Sequence, residues 1–174
     1  MKQSNNNYQR GFTLIELMVV VVIVGIVAAI VVPGWLRFLA GHRTTMARGK
    51  LRQGIQQAQA KSQQESISWQ FSVRETSGKV EMAVHPSTLL PSLAGWEPLS
   101  PSIRLDGETN LATTGDVYYV QFDEKGNVRY RLGRATLSNE RFPDIKRCVV
   151  VSTLVGATRI AKEQAVPENG KYCH

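Results

Sequence analysis

The sequence predicts an α+β chain: a long N-terminal helix whose first half spans a membrane, followed by a small antiparallel β-rich head. Three observations carry this. Sixteen consecutive apolar residues run from Leu17 to Val32. A helical stripe of Ala47, Leu51, Ile55 and Ala58 follows. Beyond it the period changes to two, with Ile67, Trp69, Phe71 and Val73 alternating with Ser68, Gln70, Ser72 and Arg74. At 174 residues the chain has room for one membrane segment and one modest domain.

Leu17 to Leu36 is a stretch of 20 residues without a formal charge. At ~1.5 Å per residue it gives roughly 30 Å of helix, the thickness of a bilayer's hydrocarbon core. An ordinary secretory signal has a shorter apolar core and a small-residue cleavage site after it. Here the small residue, Gly11, comes before the run, behind a polar segment carrying Lys2 and Arg10. One acid, Glu16, stands near the start of the apolar segment. A carboxylate in a span costs at least ~2.5 kcal/mol on insertion scales. Glu16 therefore either rests at headgroup level or receives a cation from a neighbour.

Gly11-Phe12-Thr13-Leu14-Ile15-Glu16, placed before a spanning helix, resembles the prepilin processing site of type IV pilins and type II secretion pseudopilins. The resemblance implies cleavage between Gly11 and Phe12 by a prepilin peptidase at the cytoplasmic face, and N-methylation of Phe12. It implies that Glu16 then pairs with the amino terminus of an adjacent pilin or pseudopilin subunit. Gly25 and Pro33 sit where pilin helices carry helix-weakening residues. An interior proline removes one helix hydrogen bond, so the resemblance implies lost helicity there in an assembled filament. The organisation expected is a leader over 1–11, a transmembrane helix over 12–36, its amphipathic continuation over 37–64, and a periplasmic or extracellular head over 65–174.

Counting basic residues gives the opposite topology. Lys2 and Arg10 precede the span, whereas Arg37, Arg43, Arg48, Lys50 and Arg52 follow it, which alone would hold the head in the cytoplasm. The resemblance overrides this count, because the leader must reach a cytoplasmic peptidase. It implies a single-pass protein of the bacterial inner membrane with a cytoplasmic N-terminus, and a head that leaves the cell if the subunit joins a pilus. Trp35 and Phe38, just past the span, suit an interfacial aromatic belt or contact with a neighbouring helix.

The helical stripe continues to about Gln64, weakened by Gly49 and Gly54. Trp69 and Phe71 read as core. Thr76-Ser77-Gly78-Lys79 reads as a turn into a strand over Val80–Val84. Pro86 to Pro101 holds four prolines and reads as irregular, and the sequence leaves the burial of Trp96 open. Ile103–Leu105 is a short strand. Val117–Phe122 and Val128–Leu132 flank a hairpin turn at Asp123–Asn127. Cys148–Ser152 and Thr158–Ala161 form a last pair. A helix followed by two small antiparallel sheets resembles the GspH/FimT group of H-type pseudopilins and minor pilins.

The chemistry of an enzyme is absent from the pattern. There is no Gly-x-Ser-x-Gly, no phosphate-cradling glycine loop and no His-Glu-x-x-His, and no cofactor is expected. His42, His85 and His174 are scattered, so no metal site is expected. His85, before Pro86, reads as a surface residue. Glu108, Asp116 and Asp123 read as turn formers or solubilising charge.

The net charge is +7, and no acid lies between Glu16 and Glu65. Such a basic stretch faces anionic lipid, acidic subunits or nucleic acid. Some T-type minor pilins bind DNA through a C-terminal Gly-Arg-x-Arg. Here Gly156-Ala157-Thr158-Arg159 lacks the first arginine, leaving Lys146, Arg147, Arg159 and Lys162 as DNA-contacting candidates. The two cysteines, Cys148 and Cys173, can pair if the head is exported. Many pilins close a C-terminal loop this way, which implies an intramolecular bridge tying the tail to the sheet. Two buried thiols, or a Cys173 pairing between subunits, are the alternatives.

Overall fold

The computed structural model describes residues 11–168 and 171–173, and over 162–168 and 171 the backbone alone. The leader expectation therefore lies outside the described residues except at Gly11. The chain divides into two compact units, one ending at Phe38 and the other beginning at Leu39. A single helix, α1 (Leu14–Glu65), contributes to both.

In the first unit, α1 is apolar all round and every residue from Gly11 to Gly34 is exposed within the chain. This is the one described helix long and apolar enough to cross a membrane. In the second unit the same helix is amphipathic. Ala40, Thr44, Ala47, Arg48, Leu51, Gly54, Ile55, Ala58 and Ser62 are buried, at the spacings of three and four that the stripe requires. Ser66, in the left-handed region at φ 53°, ends the helix.

Ten strands follow: β1 (Trp69–Thr76), β2 (Lys79–Pro86), β3 (Glu97–Pro98), β4 (Ile103–Leu105), β5 (Ala112–Thr114), β6 (Val117–Phe122), β7 (Gly133–Asn139), β8 (Lys146–Val151), β9 (Thr158–Glu168) and β10 (Lys171–Cys173). They form two five-stranded sheets, ordered β3-β2-β1-β6-β5 and β10-β9-β8-β7-β4. Every pairing between neighbouring strands is antiparallel. The fold is α+β, as the sequence predicts.

The core lies where α1 meets both sheets. Leu51, Ile55 and Ala58 pack with Phe71, Val73, Val120 and Phe122 of the first sheet and with Leu137, Val149 and Val151 of the second. Each large apolar side chain buried there contributes about 1.5–3 kcal/mol. Gly54 is not simply a weak point in the helix. A Cβ at this position would stand 2.7 Å from the Phe71 ring, so glycine lets strand β1 approach the helix closely.

Turn chemistry sets the strand connections. Ser77 and Gly78 both have positive φ, 51° and 71°, which gives the two-residue loop its right-twisted hairpin. Asp123 Oδ1 accepts the backbone N–H of Lys125 at 3.0 Å and of Asn127 at 2.8 Å. The predicted hairpin after this turn does not extend. Val128 makes a single bridge to Phe122, and its N–H donates to Leu154 O, drawing the chain away from β6. The expected strand over Val128–Leu132 is replaced by β7, five residues later and in the other sheet.

Two turns are fastened to the helix by amides. Gln59 Nε2 donates to Gly126 O at 2.9 Å and to Val155 O at 2.7 Å, and Gln63 Nε2 donates to Lys125 O at 3.2 Å. One turn belongs to each sheet, so Gln59 bridges the two. The segment expected to be irregular contains a short 3₁₀ turn, Pro91–Leu93, and strand β3. Trp96 lies there half-buried, 4.0 Å over the Arg74 guanidinium, donating to Pro91 O at 2.8 Å.

Candidate functional site

Gly11, Phe12 and Thr13 precede α1 as exposed, non-helical chain. Thr13 caps the helix: its Oγ1 accepts the backbone N–H of Glu16 at 3.3 Å, and its carbonyl accepts from Leu17 N at 3.2 Å. Threonine at the cap with glutamate three residues on is the capping-box pattern. Glu16 thus stands in the first turn, where the positive end of the helix dipole favours a carboxylate. Within the chain Glu16 is exposed, and among the described residues no cation pairs with it. A Cβ at Gly11 would meet nothing within 4 Å. Gly25 and Pro33 both lie within helical residues of α1, where Pro33 has no N–H for the Ala29 carbonyl.

The C-terminal candidates form a second constellation. Cys148 on β8 and Cys173 on β10 are joined by a disulfide, with Cα atoms 6.3 Å apart. Both are fully buried, beside Ala161. The tail is held by more than this bridge, because β10 pairs with β9 and Arg134 on β7 donates to the Cys173 carbonyl.

Lys146 is the centre of a partly buried ion cluster. Its Nζ lies 2.9 Å from Glu108 Oε1 and 3.1 Å from Asp106, and 5.5 Å over the Tyr172 ring. Burial by itself would lower the Lys146 ammonium, but the bonds to Glu108 and Asp106 outweigh it and raise the group. Burial would likewise raise the Glu108 carboxyl. Lys146 and the backbone N–H groups of Tyr172 and Cys173 outweigh that and hold it below its usual value. Glu108 is therefore a structural anion beside the tail and not the solubilising charge expected from sequence. Its signal was hidden because its cation lies 38 residues away.

The four candidate DNA-contacting residues do not form one patch. Lys146 shares the outer face of β8 with Cys148, whereas Arg147 lies on the opposite face with Val149. Arg147 Nε donates to Thr45 Oγ1 at 3.3 Å. Arg159 on β9 is exposed. The side chain of Lys162 lies outside the described residues. His85 is also not where the sequence put it. It is 3% exposed, with Nε2 3.0 Å from Ser72 Oγ and Nδ1 2.9 Å from Pro86 O. Strand β2 runs on to Pro86, so His85 is a paired strand residue opposite Gln70 on β1 and not a residue of the loop.

Residues 6–32 match the prokaryotic N-terminal methylation motif. The type IV major fimbrial protein FimA of Dichelobacter nodosus (strain VCS1703A) is 31% identical over 118 residues, covering 62% of this chain and 71% of that protein. The chain belongs to the type IV pilin-like family. The type IV major alpha-pilin of Moraxella bovis is 48% identical over 48 residues, 28% of this chain and 30% of that pilin. The chain thus spans only about a third of the length of that relative. The crystal structure of the type IV minor pilin FimU of Pseudomonas aeruginosa (strain PAO1) is similar over 68% of this chain and 88% of that one, at 12% identity and a TM-score of 0.49. As a member of this family the chain is a pilin-like structural subunit, and its N-terminal helix is long and apolar enough to cross a membrane.

Proposed function

We propose that this chain is a minor pilin or type II secretion pseudopilin, processed by prepilin peptidase and incorporated into, or priming, a type IV pilus-like filament. The observation that carries the proposal is the run Gly11 to Glu16 set directly at the start of an exposed apolar helix. Cleavage after Gly11 leaves Phe12 to be methylated. It also leaves Glu16 as an unpaired carboxylate that a neighbour's amino terminus can neutralise within the lipid. The inner membrane holds the subunit before assembly, with the leader cytoplasmic and the head periplasmic. The buried disulfide supports an exported head, since such bonds persist in oxidising compartments. Two antiparallel sheets beside one helix support the GspH/FimT-type minor role.

DNA capture by the head is the less supported reading. Lys146 is occupied by two acids, which removes it from the electrostatic term that phosphate binding needs.

Intact mass and N-terminal sequencing of the membrane-extracted protein test the assignment. A chain beginning at methylated Phe12, and its loss when Gly11 is replaced by valine, is the expected result. A mature chain that still begins at Met1 overturns it.

A further inference from the structure

Cleavage after Gly11 is the hydrolysis of one amide. Water adds to the Gly11 carbonyl carbon, the bond to the Phe12 nitrogen breaks, and the fragments leave with a Gly11 carboxyl and a Phe12 amine. The Gly11 carbonyl must therefore be open to attack, and it is. Gly11, Phe12 and Thr13 are exposed and non-helical, Phe12 at 82%. Among the described residues no backbone N–H donates to the Gly11 carbonyl.

The group that keeps it open lies two residues further on. The carbonyl of an N-cap residue accepts the first bond of its helix, and the cap's side-chain oxygen satisfies one more N–H. Here both belong to Thr13. Its carbonyl accepts from Leu17 N at 3.2 Å, and its Oγ1 accepts from Glu16 N at 3.3 Å. α1 thus begins at Leu14, with the scissile amide outside it. Glu16 contributes only its backbone N–H to this cap, so its carboxylate stays available for assembly.

The helix has a competing start. Glycine caps about as well as threonine but is among the poorest residues in a helix interior. A helix that loses the Thr13 hydroxyl winds back through Phe12 and stops with Gly11 as its N-cap. The scissile carbonyl would then be the one that accepts the first helical bond, from Ile15 N. A peptide bond held in this way must unwind locally before a peptidase can cut it. Packing within the chain asks for no glycine at this position, since a Cβ there would meet nothing within 4 Å.

We infer that Thr13 is a positioning residue for cleavage: its hydroxyl fixes the start of α1 at Leu14 and so keeps the Gly11 carbonyl out of the helix. This role rests on the processing proposed above and adds the residue that presents the bond. It differs from direct recognition of the Thr13 side chain by the peptidase in what it tolerates. Capping follows the order Asn and Ser, then Thr, with Val and Ala far behind. Recognition by shape would favour Val, which differs from Thr by a methyl in place of the hydroxyl, over Asn.

A time course of cleavage by prepilin peptidase, read by intact mass on the membrane-inserted full chain, tests this with Thr13→Ser, Thr13→Asn, Thr13→Val and Thr13→Ala. Loss of a cap shifts a helix start by roughly fivefold, so the Val and Ala variants should be cut more slowly by about that factor. The Ala variant should be the slower of the two, because alanine is the better helix former. The Ser and Asn variants should be cut at about the wild-type rate, and all should insert equally. In the precursor without peptidase, hydrogen exchange at the Ile15 amide should be slower in the Val and Ala variants than in wild type. A Val variant cut as fast as wild type, an Asn variant as slow as the Ala variant, or unchanged exchange at Ile15 overturns the role of Thr13 and leaves the processing reading standing. A wild-type chain that is not cut between Gly11 and Phe12 removes both.

Discussion

Lys146 Nζ sits 2.9 Å from Glu108 Oε1, and this contact stands directly against the residues that carry Cys173 into the sheet. The pair is mostly buried, with side-chain exposures of 19% and 12%. Removing one member leaves the other charge desolvated and unpaired, which costs several kcal/mol in a full interior. At this incompletely buried position Lys146→Met should cost about 2–3 kcal/mol. Thermal melts of the full chain at neutral pH measure it.

The same pair sets a pH window. The Glu108 carboxyl is held below its usual 4.5 in the folded chain. Its contribution is therefore complete above that value and fades as pH falls through the lower folded one. The Lys146 ammonium is raised above its usual 10.5. Its contribution is complete below that and is lost as pH rises through the folded value. Wild type and Lys146→Met should differ in stability across the neutral range and converge in acid. A difference that stays constant down to pH 3 would show that packing, and not charge, is what the lysine supplies.

Glu16→Ala should leave the protein processed and inserted in the membrane, because the change makes the segment more apolar. It should sharply reduce incorporation into filaments. Helix content should fall little, since Thr13 still caps α1 through its own side chain. Fractionation of sheared filaments against membranes reads the outcome. Normal incorporation would return Glu16 to a headgroup-level charge.

Cys148→Ala with Cys173→Ala should cost on the order of 3 kcal/mol, the loop-closure entropy of a bridge spanning 25 residues. Denaturant unfolding of this variant, with and without reductant, checks it. In the variant β10 should still pair with β9, because the Arg134 and Glu108 contacts remain.

Much of this architecture was legible because it is written in periods. The helical stripe from Ala47 to Ala58 and the alternation from Trp69 to Val73 each bury the side chains expected. The Ser77-Gly78 turn declares itself by residue type. Strand β7 did not, since Ala135 through Asn139 are buried on both faces and the buried polar Thr136, Ser138 and Asn139 erase any alternation. The tail was equally opaque: the strand expected over Thr158–Ala161 is the start of β9, but polar residues and Pro167 hide its continuation to Glu168 and all of β10, whose pairing comes from backbone and bridge. The ion cluster, the buried Ser72–His85 contact and the Gln59 clamp join residues 13 to 96 positions apart in the chain. No local pattern marks such pairs. The processing motif was the opposite case, six adjacent residues that carry their own context.

Two glycines of α1 provide the sharpest check on the packing. By propensity alone, Gly49→Ala and Gly54→Ala should each stabilise the helix by about 1 kcal/mol. Gly49 is exposed, and a Cβ there meets nothing within 4 Å, so propensity should decide and the variant should gain that amount. At Gly54 the new methyl would stand 2.7 Å from Cε2 and 2.9 Å from Cδ2 of Phe71. Phe71 is fully buried among Ile55, Val73 and Val120, so its ring has no open space to retreat into. Overpacking of this kind costs about 1–3 kcal/mol, which cancels or exceeds the propensity gain. Gly54→Ala should therefore be neutral to destabilising by about 2 kcal/mol, opposite in sign to Gly49→Ala. Restoring the volume with Phe71→Leu should recover part of the loss in the double variant, since the two residues share one contact. Chemical denaturation of the four proteins measures the cycle. Equal gains at both glycines would mean that β1 does not approach the helix at Gly54 as described.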